Sequence, residues 1–466
     1  MPTYRILTLG CKLNQADSGA LEARLRGLGL RRAPEADRAQ GIAQPPGAAR
    51  RHRGAGAPAD LVVLNTCTVT SGADREARQL ARRLRRANPG ATLIVTGCYA
   101  ERDGDALASL PGVDHVVGMR DQAGRVAALA AEALGLAAPP AETPGEAAAG
   151  PIDLGRFGAT EACDPAESDR TRAFLKIQDG CDLRCSYCVI PSVRGDSRSL
   201  APGEVLRRIA GLAAAGYREI VFTGVNTGGW GCDLTPARRL HDLLPEALAA
   251  AGPARLRLNS LEPRTVTPAI VRLLAESGGR LARHAQVPLQ SGCDTVLARM
   301  RRNYRTADYA RAVEALAGAV PDAGIGADVI VGFPGETDAE FESTYGFIER
   351  SPLAYLHVFS YSARPGTAAA ALPAAVPPAA IRERSARLRG LGRDLSLRFR
   401  KRFVGRELPV LVLRGVRPDG RLRALSDNFI DLGLDAGPRP AGSLVNRLLT
   451  ARVGAATGDD TLAAIA

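Results

Sequence analysis

The chain contains no run of about 18 uncharged apolar residues, and its start, MPTYRILTLGCKLN, lacks the apolar stretch and small-residue cleavage site of a secretory leader. A soluble cytoplasmic protein is therefore expected. Lysine is scarce: Lys12, Lys176 and Lys401 are the only lysines among 61 basic residues. Ala, Arg and Gly are abundant throughout, so the scarcity fits the codon bias of a GC-rich genome. The net charge of +12 and pI near 9.6 leave two readings open, an RNA partner whose phosphates attract Arg and a merely solvated, Arg-rich surface. The third lack is a fourth cysteine. Residues 177–195 read IQDGCDLRCSYCVIPSVRG, where Cys181, Cys185 and Cys188 are spaced C-x3-C-x2-C with no further Cys or His close by. Structural zinc needs four ligands, and a disulfide framework needs an even number.

What is present is enough for two or three domains, with 466 residues of which 45% are hydrophobic. Nine cysteines in a chain expected to stay in a reducing compartment point to metal rather than disulfides. The first segment alternates apolar runs (residues 4–10, 60–66 and 92–97) with helical patterns (15–28 and 73–87), the signature of a parallel α/β sheet. Cys11, Cys67 and Cys98 each follow one of those strands. Ligands of open α/β sheets bind at the carboxyl ends of the strands, so the three are expected to converge. The alternative is three ordinary buried thiols.

Residues 31–58, rich in Pro, Gly and Arg, read as an exposed insertion, and 138–168 as a linker containing the unpartnered Cys163. The middle segment holds six strand candidates (173–178, 219–224, 255–260, 284–290, 326–333 and 354–361) separated by helical patterns. They predict a partial (β/α)6 barrel with Cys181, Cys185 and Cys188 in the loop after its first strand, on the face where barrel enzymes hold their sites. From Ile381 an Arg-rich amphipathic helix leads into short strands that fit a small β-barrel. Thiolates are the natural ligands of an iron-sulfur cluster, and three of them leave one iron of a cubane open.

With these residues, the sequence resembles the radical S-adenosylmethionine (SAM) superfamily. TLGCKLNQADS, NTCTVT, TGCYAE, GCDLRCSYCVIPSVRG, LNSLEP, VPLQSG, VIVGFPGET and FSYSARPGTAA together resemble the methylthiotransferases along almost the whole chain. The resemblance implies an N-terminal methylthiotransferase domain (1–137), a radical SAM domain (169–400) and a TRAM-like RNA-binding domain (401–466). LGCKLNQ with NTCTVT is similar to the branch acting on N6-threonylcarbamoyladenosine at position 37 of tRNA, whereas the isopentenyladenosine branch more often starts Tyr-Gly-Cys-Gln-Met-Asn.

By resemblance, Cys181, Cys185 and Cys188 hold a [4Fe-4S] cluster whose open iron binds SAM and yields a 5′-deoxyadenosyl radical. Cys11, Cys67 and Cys98 hold an auxiliary [4Fe-4S] cluster that presents sulfur to adenine C2. The implied product is 2-methylthio-N6-threonylcarbamoyladenosine. The implied partners are tRNA, a low-potential electron donor and a sulfur source. Gly224, Ser260, Glu262, Gln290 and Gly332 are candidates for SAM contact at strand ends, or else turn and cap residues. Arg194 is read as a substrate or phosphate contact or a surface salt bridge, and Tyr187 as a shield of the cluster. The Arg-rich helix near 382–402 is expected to track phosphates or to act as an interdomain strut. Asn428 and Phe429 are expected to form an RNA-stacking surface. Cys232 and Cys293 do not resemble ligands, although Cys232 follows a strand on the active face. The competing readings are the same reaction on isopentenyladenosine or on a ribosomal-protein side chain, and a noncatalytic iron-sulfur RNA-binding protein.

Overall fold

The computed structural model describes residues 1–34, 58–137 and 171–466. Most of the expected insertion, the expected linker and Cys163 lie outside the described residues.

Five parallel strands make the first sheet, in the spatial order Arg31–Arg32, Thr3–Thr8, Leu61–Thr66, Thr92–Gly97 and His115–Val117. Side chains alternate across a strand. Val62, Leu64, Leu93 and Val95 therefore pack on one face with Leu80 and Leu84 of helix Ser71–Ala87. Leu61, Val63 and Ile94 pack on the other with Leu21 and Leu25 of helix Lys12–Gly27 and Val126 of helix Gln122–Ala133. Covering both faces buries all six residues of Leu61–Thr66, which is why its first four residues, LVVL, are apolar without alternation. Two boundaries differ from expectation. The segment expected to be an exposed insertion from residue 31 begins as an edge strand flanked by buried Leu30 and Ala33, and the first helix starts at Lys12, making Cys11 its N-cap.

The six central strands are parallel and follow chain order, but form two sheets of three where one curved sheet was expected. One contains Ala173–Lys176, Glu219–Thr223 and Arg255–Arg257; the other contains His284–Gln286, Gly324–Val331 and Tyr355–Ser360. A parallel bridge from Leu256 to Leu281 connects them. The runs RLRLNS and HAQVPLQ pair over only three residues each. Each run ends in a residue with left-handed backbone, Ser260 (φ 54°) and Gln290 (φ 65°), a conformation a β-ladder cannot propagate. Leu256, Ala285, Ile325, Ala327, Val329 and Leu356 face the helices and the large apolar core. Their alternating neighbours, Arg257, His284, Gln286, Asp328, Tyr355 and His357, fall on the opposite face.

Five C-terminal strands, Glu407–Val416, Leu422–Ser426, Asp431–Asp435, Leu448–Thr457 and Asp460–Ile465, close into a barrel. Helix Pro378–Lys401 joins it to the rest, with Leu388, Leu391 and Leu395 in the central core and Phe399 in the barrel core. Several of its arginines are engaged within the protein: Arg384 with Glu336 and Asp338, Arg387 with Glu342, and Arg400 with Asp460 O. The helix is thus an interdomain strut, with Arg382, Arg389, Arg393 and Arg398 left on its exposed face.

The loop after Leu422–Ser426 inserts against the polar face of the central strands. Arg257 donates to Ser426 O and Asp427 O at 3.0 and 2.9 Å, and a Cβ on Gly324 would stand 2.1 Å from Asn428 O. Asn428 and Phe429 therefore do not form an exposed RNA-stacking surface. Asn428 is buried and donates to Asp322 O, while Phe429 stacks on His284 at 4.3 Å. Among the described residues no helix is long and apolar enough to cross a membrane.

Candidate active site

The three cysteine-bearing strands of the first sheet are neighbours, so their loops emerge side by side at one edge. Asn14, buried on the first helix, organises that edge. Its Nδ2 donates to Leu9 O and Thr66 O, both at 2.9 Å, and its Oδ1 lies 3.8 Å from the sulfurs of both Cys11 and Cys98. Gly10 permits the approach of Cys67: at φ 104° it carries no Cβ, and one would stand 2.6 Å from the Cys67 Cβ. Cys67 and Cys98 are buried, whereas Cys11 is exposed. Burial, reinforced by the neighbouring Cys11 and Cys98, pushes the Cys67 thiol far above its usual range. Burial also pushes Cys98 up to about 11 against the opposing pull of Arg194.

Cys181, Cys185 and Cys188 lie between the short strand Gln178–Asp179 and helix Ile190–Arg194. The loop is pinned at several points: Cys181 N donates to Gly195 O (3.0 Å), Cys188 N to Cys185 O (3.1 Å) and Ser186 N to Met300 O (3.0 Å). Burial raises Cys181 to about 11 and Cys188 to about 12. Arg302, itself buried and paired with Glu262, donates to Cys185 Sγ at 3.0 Å. Tyr187 packs near Arg302 and the apolar group of Val296, Met300 and Phe333.

Arg194 connects the two sets. Its Nε donates to Cys98 Sγ (3.2 Å), Nη1 to both oxygens of Asp179 (3.0 and 3.1 Å), and Nη2 to Asn14 Oδ1 (3.0 Å) and Asp17 Oδ2 (2.7 Å). Lys176 completes the group, at 2.6 Å from Asp17 and 3.2 Å from Asp179. Two cations and two carboxylates are thus buried together between the first sheet and the central strands, and Cys98 packs directly on Val189 and Val193. With a side chain 1% exposed, Arg194 is neither a substrate contact nor a surface salt bridge. Sequence reading missed Asn14, Asp17 and Lys176. The available signals were the polar residues of KLNQADS recurring at helical spacing beside a cysteine, and a rare lysine in an Arg-rich chain.

The other expected residues sit at strand ends. Gly224 closely approaches Gln178, with its would-be Cβ 2.8 Å from Gln178 Oε1. Ser260 and Gln290 hold the left-handed conformations noted above, Gln290 N donating to Asp328 O at 2.7 Å. Glu262 pairs with Arg302. Gly332 (φ 76°) donates to Glu336 Oε2 at 2.9 Å and lies under Ile381, 2.4 Å from where its Cβ would be, so the close approach of the long helix already requires glycine there. Cys232 is exposed and accepts from Arg239, and Cys293 lies beside Thr295; neither is drawn to either trio.

Two family models match the chain: the radical SAM superfamily over residues 175–348 and the uncharacterized protein family UPF0004 over residues 49–118. A threonylcarbamoyladenosine tRNA methylthiotransferase of Bacillus subtilis is 36% identical over 88% of this chain and 85% of its own. The chain belongs to the radical SAM methylthiotransferase family. A second relative, the tRNA-2-methylthio-N(6)-dimethylallyladenosine synthase of Acidothermus cellulolyticus, is 33% identical over 92% of this chain and 81% of its own. Among solved structures, the radical SAM methyltransferase TsrM of Kitasatospora setae aligns with a TM-score of 0.51 at 16% identity, over 77% of this chain and 73% of that one, a likeness of fold alone.

Membership makes the protein an enzyme and implies SAM and a [4Fe-4S] cluster. The residues present fit that requirement. Three soft thiol donors share one pinned loop, and a guanidinium donates to one of their sulfurs, the kind of contact that tunes such clusters. The buried Asn226 Oδ1, just beyond strand Glu219–Thr223, has no hydrogen-bond partner. Among the described residues no three His, Cys, Asp or Glu side chains group tightly enough to hold a single metal ion. A cubane asks for wider spacing, because each thiolate reaches a different iron.

Proposed function

We propose that the protein is a tRNA methylthiotransferase that places a methylthio group on C2 of N6-threonylcarbamoyladenosine at position 37, giving 2-methylthio-N6-threonylcarbamoyladenosine. The observation that carries the reading is the junction at Arg194. One buried guanidinium touches Cys98 of the first trio and stands six residues beyond Cys188 of the second, so two incomplete thiol sets adjoin in one interior. In this reading Cys181, Cys185 and Cys188 hold the radical SAM cluster, and Cys11, Cys67 and Cys98 hold an auxiliary [4Fe-4S] cluster. When bound, the clusters and SAM supply one-electron chemistry that side chains lack. The chain's own residues orient and seal: Arg302 fixes Cys185, the Asp17, Asp179, Lys176 and Arg194 group excludes water between the sets, and Gly224, Ser260, Glu262, Gln290 and Gly332 line the strand ends facing SAM. The domains divide at 1–137, 169–400 and 401–466, with the closed C-terminal barrel as the TRAM-like RNA-binding module. An electron donor and a sulfur source complete the reaction, in the cytoplasm.

A second reading, the dimethylallyl-type substrate, is favoured by relatives of that name at 33–34% identity. Mass spectrometry of tRNA nucleosides from a strain lacking the gene discriminates the two. Loss of the methylthio threonylcarbamoyl nucleoside supports the proposal, and its persistence refutes it. Anaerobic reconstitution tests the cluster count: two cubanes bind about eight irons per chain. A value near four, unchanged by replacing Cys11, Cys67 and Cys98 with alanine, refutes the auxiliary cluster.

A further inference from the structure

We propose that Lys12 determines substrate specificity by binding a carboxylate carried on the N6 substituent of the adenosine; this rests on the substrate reading above. Lys12 begins the helix after Cys11, and its side chain reaches the polar face of the central strands. There Nζ donates to Asn259 Oδ1 at 3.0 Å and stands 5.4 Å from the centre of the Phe429 ring. The first sheet, the central strands and the C-terminal barrel all contribute to this one point.

The ammonium lacks an anion. It has three N–H donors, of which Asn259 takes one, and among the described residues no carboxylate lies within ion-pair distance of it. The carboxylates whose charge bears on it, Glu219 and Asp328, are committed elsewhere. Glu219 is shared by Arg172, Arg255 and Arg257 at 3.5, 2.5 and 2.9 Å. Asp328 accepts from Gln286 at 2.9 Å and lies 3.0 Å from His357 Nδ1. Arg172 and Arg257 add further positive charge facing Lys12. Burial, reinforced by Arg172 and Arg257, lowers the Lys12 pKa and so favours its neutral form while it is unpaired, and an incoming anion favours the charged form.

The position also suits the chemistry. Lys12 adjoins Cys11, and in adenine C2 and the carbon bearing N6 flank the same ring nitrogen. A grip on the N6 substituent therefore presents the C2 edge to the same wall. A threonylcarbamoyl group offers a carboxylate. A dimethylallyl group is hydrocarbon and leaves the ammonium unpaired, a mismatch that a polar site rejects strongly.

The test uses the full chain and three anticodon stem-loops carrying N6-threonylcarbamoyladenosine, its methyl ester or N6-dimethylallyladenosine, with affinity read by fluorescence anisotropy. Wild type is expected to bind the acid about tenfold or more tighter than the ester. Lys12→Gln binds acid and ester alike, at the wild-type level for the ester, and Lys12→Arg restores part of the preference. Circular dichroism checks folding; should Lys12→Gln melt early, the acid-to-ester ratios of wild type and Lys12→Arg decide. Equal wild-type affinity for acid and ester overturns the inference. So does discrimination that survives Lys12→Gln, or a uniform weakening on all three RNAs, which would signify a phosphate contact. Products of wild type are analysed in parallel: a methylthiolated threonylcarbamoyl product alongside any of those results leaves the substrate reading standing, whereas its absence overturns both.

Discussion

Replacing Arg194 by methionine removes five hydrogen bonds, to Asp179 twice, Asn14, Asp17 and Cys98. It also leaves Lys176 to face both Asp17 and Asp179, at 2.6 and 3.2 Å. Counted over Asp17, Lys176, Asp179 and Arg194, the charge passes from zero to minus one in an interior where these side chains are 1–6% exposed. Breaking a buried pair in this way costs about 3–5 kcal/mol, because the remaining charge has lost its compensation rather than because the pair was strongly stabilising. For a unit of 150–250 residues, each kcal/mol lowers Tm by roughly 2–4 °C, so a fall of roughly 6–20 °C is expected in the transition that includes the first sheet. Circular dichroism melting of the apoprotein measures it, and Asp179→Asn added to Arg194→Met should recover part of the loss by restoring neutrality. A shift under about 2 °C, or no recovery in the double variant, would refute the assignment of this group as a buried, mutually dependent junction.

Gly10→Ala forces a Cβ to within 2.6 Å of the Cys67 Cβ in a left-handed backbone. We expect bound iron after reconstitution to fall from about eight to about four per chain, with the Cys181 loop unaffected; retention of all the iron contradicts the role given to Gly10. His284 is held neutral by burial and by Arg257 and Lys12, its pKa lying well below 6.5. Its unfolded form binds a proton that the folded form refuses, so its stability contribution is complete above pH 6.5 and declines as pH falls, by up to about 1.4 kcal/mol per pH unit. The wild-type Tm should therefore drop more between pH 7 and pH 5 than that of His284→Gln, and parallel Tm-versus-pH curves would dismiss this account.

The placement of Cys11, Cys67 and Cys98 was legible because strand ends can be read from hydrophobic runs, and parallel strands bring their carboxyl ends to one edge. The C-x3-C-x2-C loop was legible because all three of its cysteines lie within eight residues. Helix Pro378–Lys401 was readable as an amphipathic helix from the spacing of Leu388, Leu391 and Leu395, but nothing in the sequence told whether its arginines would track phosphates or face acidic partners. Asn428 and Phe429 read as surface because they sit in a polar turn. The burial of Asn428 and the half-buried stacking of Phe429 depend on Gly324, Arg257 and His284, a hundred or more residues away, offering a place where the turn fits.

The sequence by itself determined the family, the two thiol sets and the alternation of strands and helices, since these rest on local periodicity and on residues close in the chain. Tertiary structure alone decided that Arg194 joins the two sets, that Phe429 enters the face of another domain, and that Lys12 stands there without an anion. Charge compensation is a property of distance in space, and it becomes defined only when residues as far apart as Asp17 and Arg194, or Lys12 and Asn259, are folded into contact.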